Sequence, residues 1–222
     1  GLKKCVDYST NLSTVSQDGW NYIMGVDLAF NTTPGNPRTA IFILGIDKMG
    51  FKYPIHCRVG YFKPQAIIEY IFADGERFGV LSARVENNSA QEALVQWTKA
   101  KSKEQKRAGR KFRIKGHYTG GQKADPVHGV PGMSVEMEAG KWRILLGGHP
   151  PGECTCGICE WIEELEGYPL GELYDTVMAS WFASVEGTSL NRIGIRVLHS
   201  HGEDFDEESL DDPEKIGDIE SK

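Results

Sequence analysis

The sequence predicts a single α/β domain, and three observations carry that prediction. Three strand-like runs rich in Ile, Val, Phe and Tyr follow one another near the start of the chain. Helical apolar spacings then alternate with further short strand-like runs, and no internal repeat or domain linker interrupts the pattern before an acidic tail. A chain of 222 residues is long enough to bury a full core.

Residues 21–29, 38–46 and 51–61 read as consecutive strands of a meander, separated by Gly and Pro signals. Pro64 to Phe78 carries Ile67, Ile68, Ile71 and Phe72 at helical spacing, with proline in the first turn. A short strand over 80–86 follows. A capping box, Ser89 with Glu92, opens a second helix through Ala93, Leu94 and Trp97 into the charged stretch Lys99 to Arg110. Lys111 to Lys115 reads as a strand, and 116–132, rich in Gly and Pro, as a loop. Met133 to Glu138 and Lys141 to Leu146 read as a hairpin turning at Ala139-Gly140. A loop over 147–154, a helix from Ile158 to Glu166 and a final helix from Gly171 to about Glu186 complete the pattern. The expected order is β-β-β-α-β-α-β, a sheet flanked by helices, with an added β-hairpin and C-terminal helices. The expected organisation is an N-terminal extension from a preceding linker over 1–19, the domain over 20–190, and a C-terminal segment over 191–222.

The formal charge of −6 conceals an asymmetry. Glu203 to Lys222 carries ten of the 31 acidic residues against two of the 25 basic ones, so the remainder of the chain is near +2. A mildly basic body fits a polyanion partner, and the charged tail is expected to be disordered. No apolar run approaches the ~20 residues that span a bilayer, and the start has no signal-peptide pattern. A soluble, intracellular protein with no membrane partner is expected. Gly1 stands where an initiator Met would, which suggests a piece of a longer protein.

Three carboxylates fall in stretches that otherwise read as core. Asp27 interrupts the apolar run from Tyr22 to Ala29, Glu86 closes the strand Val80 to Val85, and Asp175 opens the apolar helix Thr176 to Ala183. Burying an ionised carboxylate costs several kcal/mol unless it is paired or bound to a metal. Each has a plain structural reading: backbone amides for Asp27, a strand end for Glu86, a helix first turn for Asp175. Taken together they point to one shared cation site. If the first and fourth strands are neighbours and the last helix packs on them, the three acids meet. Asp and Glu are the hard oxygen ligands that magnesium or manganese takes, and two such ions roughly 3.5–4 Å apart are what phosphodiester hydrolysis needs.

Gly25-Val26-Asp27-Leu28-Ala29, Val85-Glu86-Asn87-Asn88 and Asp175-Thr176-Val177-Met178-Ala179 resemble the nuclease domain of the bacteriophage terminase large subunit. Lys123-Ala124-Asp125-Pro126, Gly140-Lys141-Trp142-Arg143-Ile144 and Glu164-Leu165-Glu166-Gly167-Tyr168-Pro169 look like the same family, and the resemblance spans roughly residues 20 to 186. It implies a ribonuclease H-like fold and a metal-dependent endonuclease that cuts concatemeric double-stranded DNA during packaging. It also implies two magnesium or manganese ions on Asp27, Glu86 and Asp175. Further implications are an ATPase motor before this segment, a small terminase subunit and a procapsid portal as partners, and the cytoplasm of an infected bacterium as the location. The family often has two adjacent aspartates before its final helix; here Tyr174-Asp175 keeps only the second. No Gly-x-x-x-x-Gly-Lys-Ser/Thr loop occurs, so no ATPase activity is expected from this segment. A resolvase- or transposase-type nuclease of the same fold, and a non-catalytic DNA-binding module with a zinc knuckle, are the competing readings.

Between Lys99 and Lys115 lie nine basic residues and one acid, Glu104. Lys103, Lys106, Arg107, Arg110, Lys111, Arg113 and Lys115, with Lys123 further on, are the expected phosphate-backbone contacts; a solvated helix face is the alternative. His117 is a further candidate to approach the scissile phosphate. Finally, His149, Cys154, Cys156 and Cys159 offer four zinc-type ligands within eleven residues. Structural zinc, ordinary thiols and a disulfide all remain open from the sequence.

Overall fold

The structure, a computed structural model, describes residues 1–29, 33–86, 96–98, 100–101, 103, 112–117, 129–150 and 152–199, with side chains described as far as residue 189. The chain divides into two compact units, Gly1–Ser189 and Leu190–Lys222. The first unit contains the main sheet and all three candidate acids.

A short helix α1 (Leu2–Cys5) leads into β1 (Val6–Asp7). The main sheet is built from β2 (Asn21–Asp27), β3 (Thr39–Ile46), β4 (Lys52–Gly60), β5 (Ser82–Glu86) and β6 (Arg113–His117), in the spatial order β4-β3-β2-β5-β6. β2, β3 and β4 pair antiparallel; β5 lies parallel to β2, and β6 parallel to β5. The crossover between β2's hairpin-linked group and β5 is α2 (Pro64–Phe78). The result is the expected α/β architecture, a mixed sheet of hairpin-linked strands and helical crossover flanked by helices.

Sequence chemistry explains these elements. β3 is buried at every position, as a central strand covered on both faces must be. β4 is an edge strand and tolerates Pro54, which has no N–H to donate. Asp47 closes the β3–β4 turn by accepting from the amides of Met49 and Phe51, both at 2.9 Å. Pro64 starts α2, and Gly79, at φ +64°, stops it in the left-handed conformation that suits glycine.

Alternation divides β2 and β5 between two layers. Met24, Val26, Ala83 and Val85 join Ile67, Ile71 and Phe72 of α2 in one core, each large side chain contributing about 1.5–3 kcal/mol. Ile23, Gly25 and Asp27, with Ser82, Arg84 and Glu86, face the other side. That side is covered by the C-terminal helices α4 (Gly157–Gly167) and α5 (Asp175–His199).

The expected hairpin over 133–146 is not formed. Residues Val130–Glu138 are the helix α3, and only Ile144–Leu145 forms a strand, β7, paired in parallel with β1. Val130, Met133 and Met137 are buried at a spacing of three and four, and Pro131 sits in the first turn. Gly140, at φ +69°, therefore follows a helix end and does not lie at a hairpin tip. The pairing also ties residues 1–7, expected as part of a linker extension, into the first unit.

Smaller differences have local causes. The strand expected at Lys111 to Lys115 lies two residues later, where Ala83↔Ile114 and Glu86↔His117 set the register. The final helix starts at Asp175 because Gly167 to Gly171 form a tight turn, and it runs on past Gly187. Gly187 is a packing residue: a Cβ there would sit 2.6 Å from Ile23 Cδ1. Most of the second predicted helix lies outside the described residues; residues 96–98, 100, 101 and 103 are helical. Among the described residues no helix is long and apolar enough to cross a membrane.

Candidate active site

Strand register brings the first two acids together. Val26 pairs with Val85, so Asp27 and Glu86 leave the ends of adjacent parallel strands side by side. Neighbouring strands lie about 4.8 Å apart, close enough for both carboxylates to reach ions separated by roughly 3.5–4 Å.

Small residues on α5 bring the third. A Cβ on Gly25 would lie 2.0 Å from the carbonyl oxygen of Ala179 and 2.3 Å from the amide nitrogen of Ala183. The helix therefore rests directly on the strand backbone at Gly25. Gly187 lies against Ile23, so α5 runs antiparallel to β2 and carries Asp175 toward Asp27. Asp175, Ala179, Ala183 and Gly187 recur every four residues, one stripe of the helix. Being in the first turn, Asp175 is also favoured by the helix dipole.

Asp27, Glu86 and Asp175 line one open cavity of about 320 Å³, with Asn36, Arg38, Glu172 and Tyr174 on its wall. The three acids are only 9%, 3% and 8% exposed. Their donors are all carboxylate oxygens, the ligand chemistry that magnesium or manganese takes. Glu172, exposed on the rim, lies two residues before Tyr174.

Arg38 is the counterweight. Its backbone N–H and its Nε both donate to Asp175 Oδ2, at 3.1 and 3.3 Å, and its two terminal nitrogens hold Glu160 and Glu164. Glu164 reaches on with its other oxygen to accept from the Thr176 amide at 2.9 Å and hydroxyl at 2.6 Å. Burial works against the guanidinium's charge, but Glu160, Glu164 and Asp175 outweigh it and raise its pKa above the ordinary value. Asp175 is thus fixed from two sides. Sequence reasoning missed this hub. An arginine ahead of a strand reads as an edge residue; the available signal was Glu160 and Glu164 at i, i+4 on an otherwise apolar helix face.

A further buried acid lies on α5 itself. Glu186, fully buried, accepts from Ser82 Oγ at 2.6 Å and from Arg84 at 2.9 and 3.1 Å, with Lys115 Nζ at 3.4 Å. Burial alone would raise its pKa, but Ser82, Arg84 and Lys115 outweigh burial and lower it. The unfolded value is about 4.3, so the stability this carboxylate adds is complete above that pH and is lost as pH falls through the lower folded value. In a thermal-melt series, Glu186→Gln should be less stable than the parent at neutral pH, and the gap should close below about pH 4.

The basic candidates divide. Lys103 and Arg113 are exposed, whereas Lys115 turns inward to Glu186. Arg113 pairs in register with Ser82, about 13 Å along the strand from the Glu86 end. Lys106, Arg107, Arg110, Lys111 and Lys123 lie outside the described residues. His117 stands beside Glu86 in register, but its Nδ1 is 2.9 Å from Arg84 and its ring packs on Trp181 and Phe182. It belongs to the wall under α5. His149, Cys154, Cys156 and Cys159 do converge, their ligand atoms all within 4.8 Å of one another.

No protein-family model matches the sequence, and no curated protein matches it significantly. Among solved structures the chain is similar to the yeast mitochondrial Holliday junction resolvase Ydc2, at TM-score 0.47 and 9% identity over 79% of this chain and 83% of that one. It is similar to T. thermophilus RuvC in complex with a Holliday junction substrate, at 0.41 and 12% over 78% and 96%. It is also similar to the large terminase of bacteriophage HK97, at 0.42 and 14% over 67% of this chain and 33% of that one.

Proposed function

We propose that this chain is a metal-dependent nuclease that hydrolyses DNA phosphodiester bonds, with Asp27, Glu86 and Asp175 as the cation ligands. The observation that supports it is the meeting of these three buried carboxylates, from two strand ends and a helix start, on one open cavity. When bound there, two magnesium or manganese ions would supply a deprotonated water as nucleophile and a Lewis acid for the leaving oxygen. Asp27 and Glu86 project from a rigid sheet, and Arg38 orients Asp175 by engaging its Oδ2. The cavity mouth, at Glu172, Leu173 and Tyr174, is exposed and open to a phosphate backbone. Lys103 and Arg113, with the basic residues around them in sequence, would hold that backbone in a salt-sensitive way.

Within this class, the nuclease of a viral DNA-packaging terminase is the finer reading, acting on concatemeric double-stranded DNA in an infected bacterium. Its support is the ordered run of sequence resemblances between residues 20 and 186. On this reading residues 20–190 form the nuclease domain, and the ATPase motor, small subunit and portal are partners of the whole protein.

The test is cleavage of supercoiled plasmid and of a four-way junction by purified protein with manganese, magnesium or chelator. Metal-dependent nicking and linearisation of plasmid without preference for the junction is expected. Selective junction cleavage would favour a resolvase, and DNA binding with no cleavage in any metal would favour a non-catalytic module.

A further inference from the structure

The cluster at the start of α4 lies away from the acidic cavity. His149 Nδ1 is 3.4 Å from Cys154 Sγ, 3.3 Å from Cys156 Sγ and 3.7 Å from Cys159 Sγ, and the Cys156 and Cys159 sulfurs are 3.6 Å apart. Tetrahedral zinc, with bonds of about 2.3 Å to sulfur and 2.0–2.1 Å to nitrogen, requires edges of about 3.6 Å (S···N) and about 3.8 Å (S···S). Four of the six edges thus match a zinc-sized tetrahedron, and all six lie within 4.8 Å. A disulfide would need two sulfurs at about 2.05 Å, and all five cysteines are free.

The backbone is shaped to present these ligands. The His149 amide donates to Leu146, and the amides of Glu153 and Cys154 both donate to the Pro150 carbonyl. Gly148 and Gly152 take the positive φ values the two turns require, +86° and +75°. Cys156 is the N-cap of α4, and its carbonyl accepts from the Glu160 amide. Gly157 presses on β4: a Cβ there would be 2.1 Å from the Cys57 carbonyl oxygen.

We propose that His149, Cys154, Cys156 and Cys159 bind one structural zinc ion, which clamps the start of α4 against β4 and thereby positions Asp175 through Glu160, Glu164 and Arg38. Four protein ligands leave no open position on the metal, so its role is structural. The path is short. Cys159 is adjacent to Glu160; Glu160 and Glu164 grip Arg38; Arg38 holds Asp175, and Glu164 holds Thr176. The zinc site stands on this geometry and does not require the nuclease reading.

The experiment is elemental analysis of the purified full chain, with hydrogen exchange of the zinc-loaded and zinc-free forms. One zinc per chain is expected, lost in the double variant Cys156→Ser, Cys159→Ser. Should that variant fail to fold, cobalt(II) loading of the parent chain replaces it, and the absorption of tetrahedral thiolate-ligated cobalt is expected. A folded parent with neither zinc nor that spectrum overturns the site. On zinc removal, faster exchange is expected at α4 and at the Thr176 amide, with β2 and β3 still protected. Unchanged exchange at Thr176, or equal loss of protection throughout the sheet, overturns the positioning role. None of these readouts involves DNA or the cavity's cations, so they stand or fall separately from cleavage.

Discussion

Asp27→Asn is expected to reduce metal-dependent DNA cleavage by more than about 100-fold, the upper end of what losing even an outer-sphere metal partner costs. Asparagine keeps the shape and loses the charge that draws two divalent cations into a cavity whose wall already carries Arg38. Glu86→Gln should lose cleavage alike, and Asp175→Asn, which weakens the bonds from Arg38, should lose stability as well as cleavage. Cleavage assays paired with thermal melts check this. Activity retained in Asp27→Asn would remove the shared-cation mechanism.

Gly25→Ala is expected to damage both fold and activity, although it adds only one methyl group. The new Cβ would collide with backbone atoms of Ala179 and Ala183, which cannot swing aside as a side-chain end can. Overpacking a core costs about 1–3 kcal/mol, and a clash with helix backbone belongs at or above the upper end. For a chain of this size about 3 kcal/mol corresponds to roughly 6–12 °C in Tm. The helix can only yield by moving off the sheet, which carries Asp175 away from Asp27 and Glu86. A displacement of about 1 Å at reacting groups costs on the order of 100-fold in rate, so cleavage should fall further than stability. A Gly25→Ala protein with parental Tm and activity would contradict the strand-on-helix contact.

The sheet was legible because its strands are apolar, β-branched and cleanly punctuated. Its mixed directions followed from short hairpin links on one side and helical crossovers on the other. Residues 130–146 mislead because Met133-Ser134-Val135-Glu136-Met137 alternates as a strand does, while the helical signal, Val130, Met133 and Met137 behind Pro131, is spread over a longer window. The acids stood out because charge in an apolar run demands a partner. Arg38 did not, since a charged residue just outside a strand is ordinary, and its three carboxylates come from segments more than a hundred residues away. Spacing alone also left the cysteine cluster open between thiols, disulfide and zinc, and the convergence on His149 Nδ1 is a tertiary fact.

The most direct test is anomalous diffraction from a manganese-soaked crystal of this chain. The account predicts two manganese peaks roughly 3.5–4 Å apart in the cavity, within bonding distance of carboxylate oxygens of Asp27, Glu86 and Asp175, with Arg38 still on Asp175. A cavity without manganese at saturating concentration, or ions held only by Glu160, Glu164 and Glu172, would contradict it.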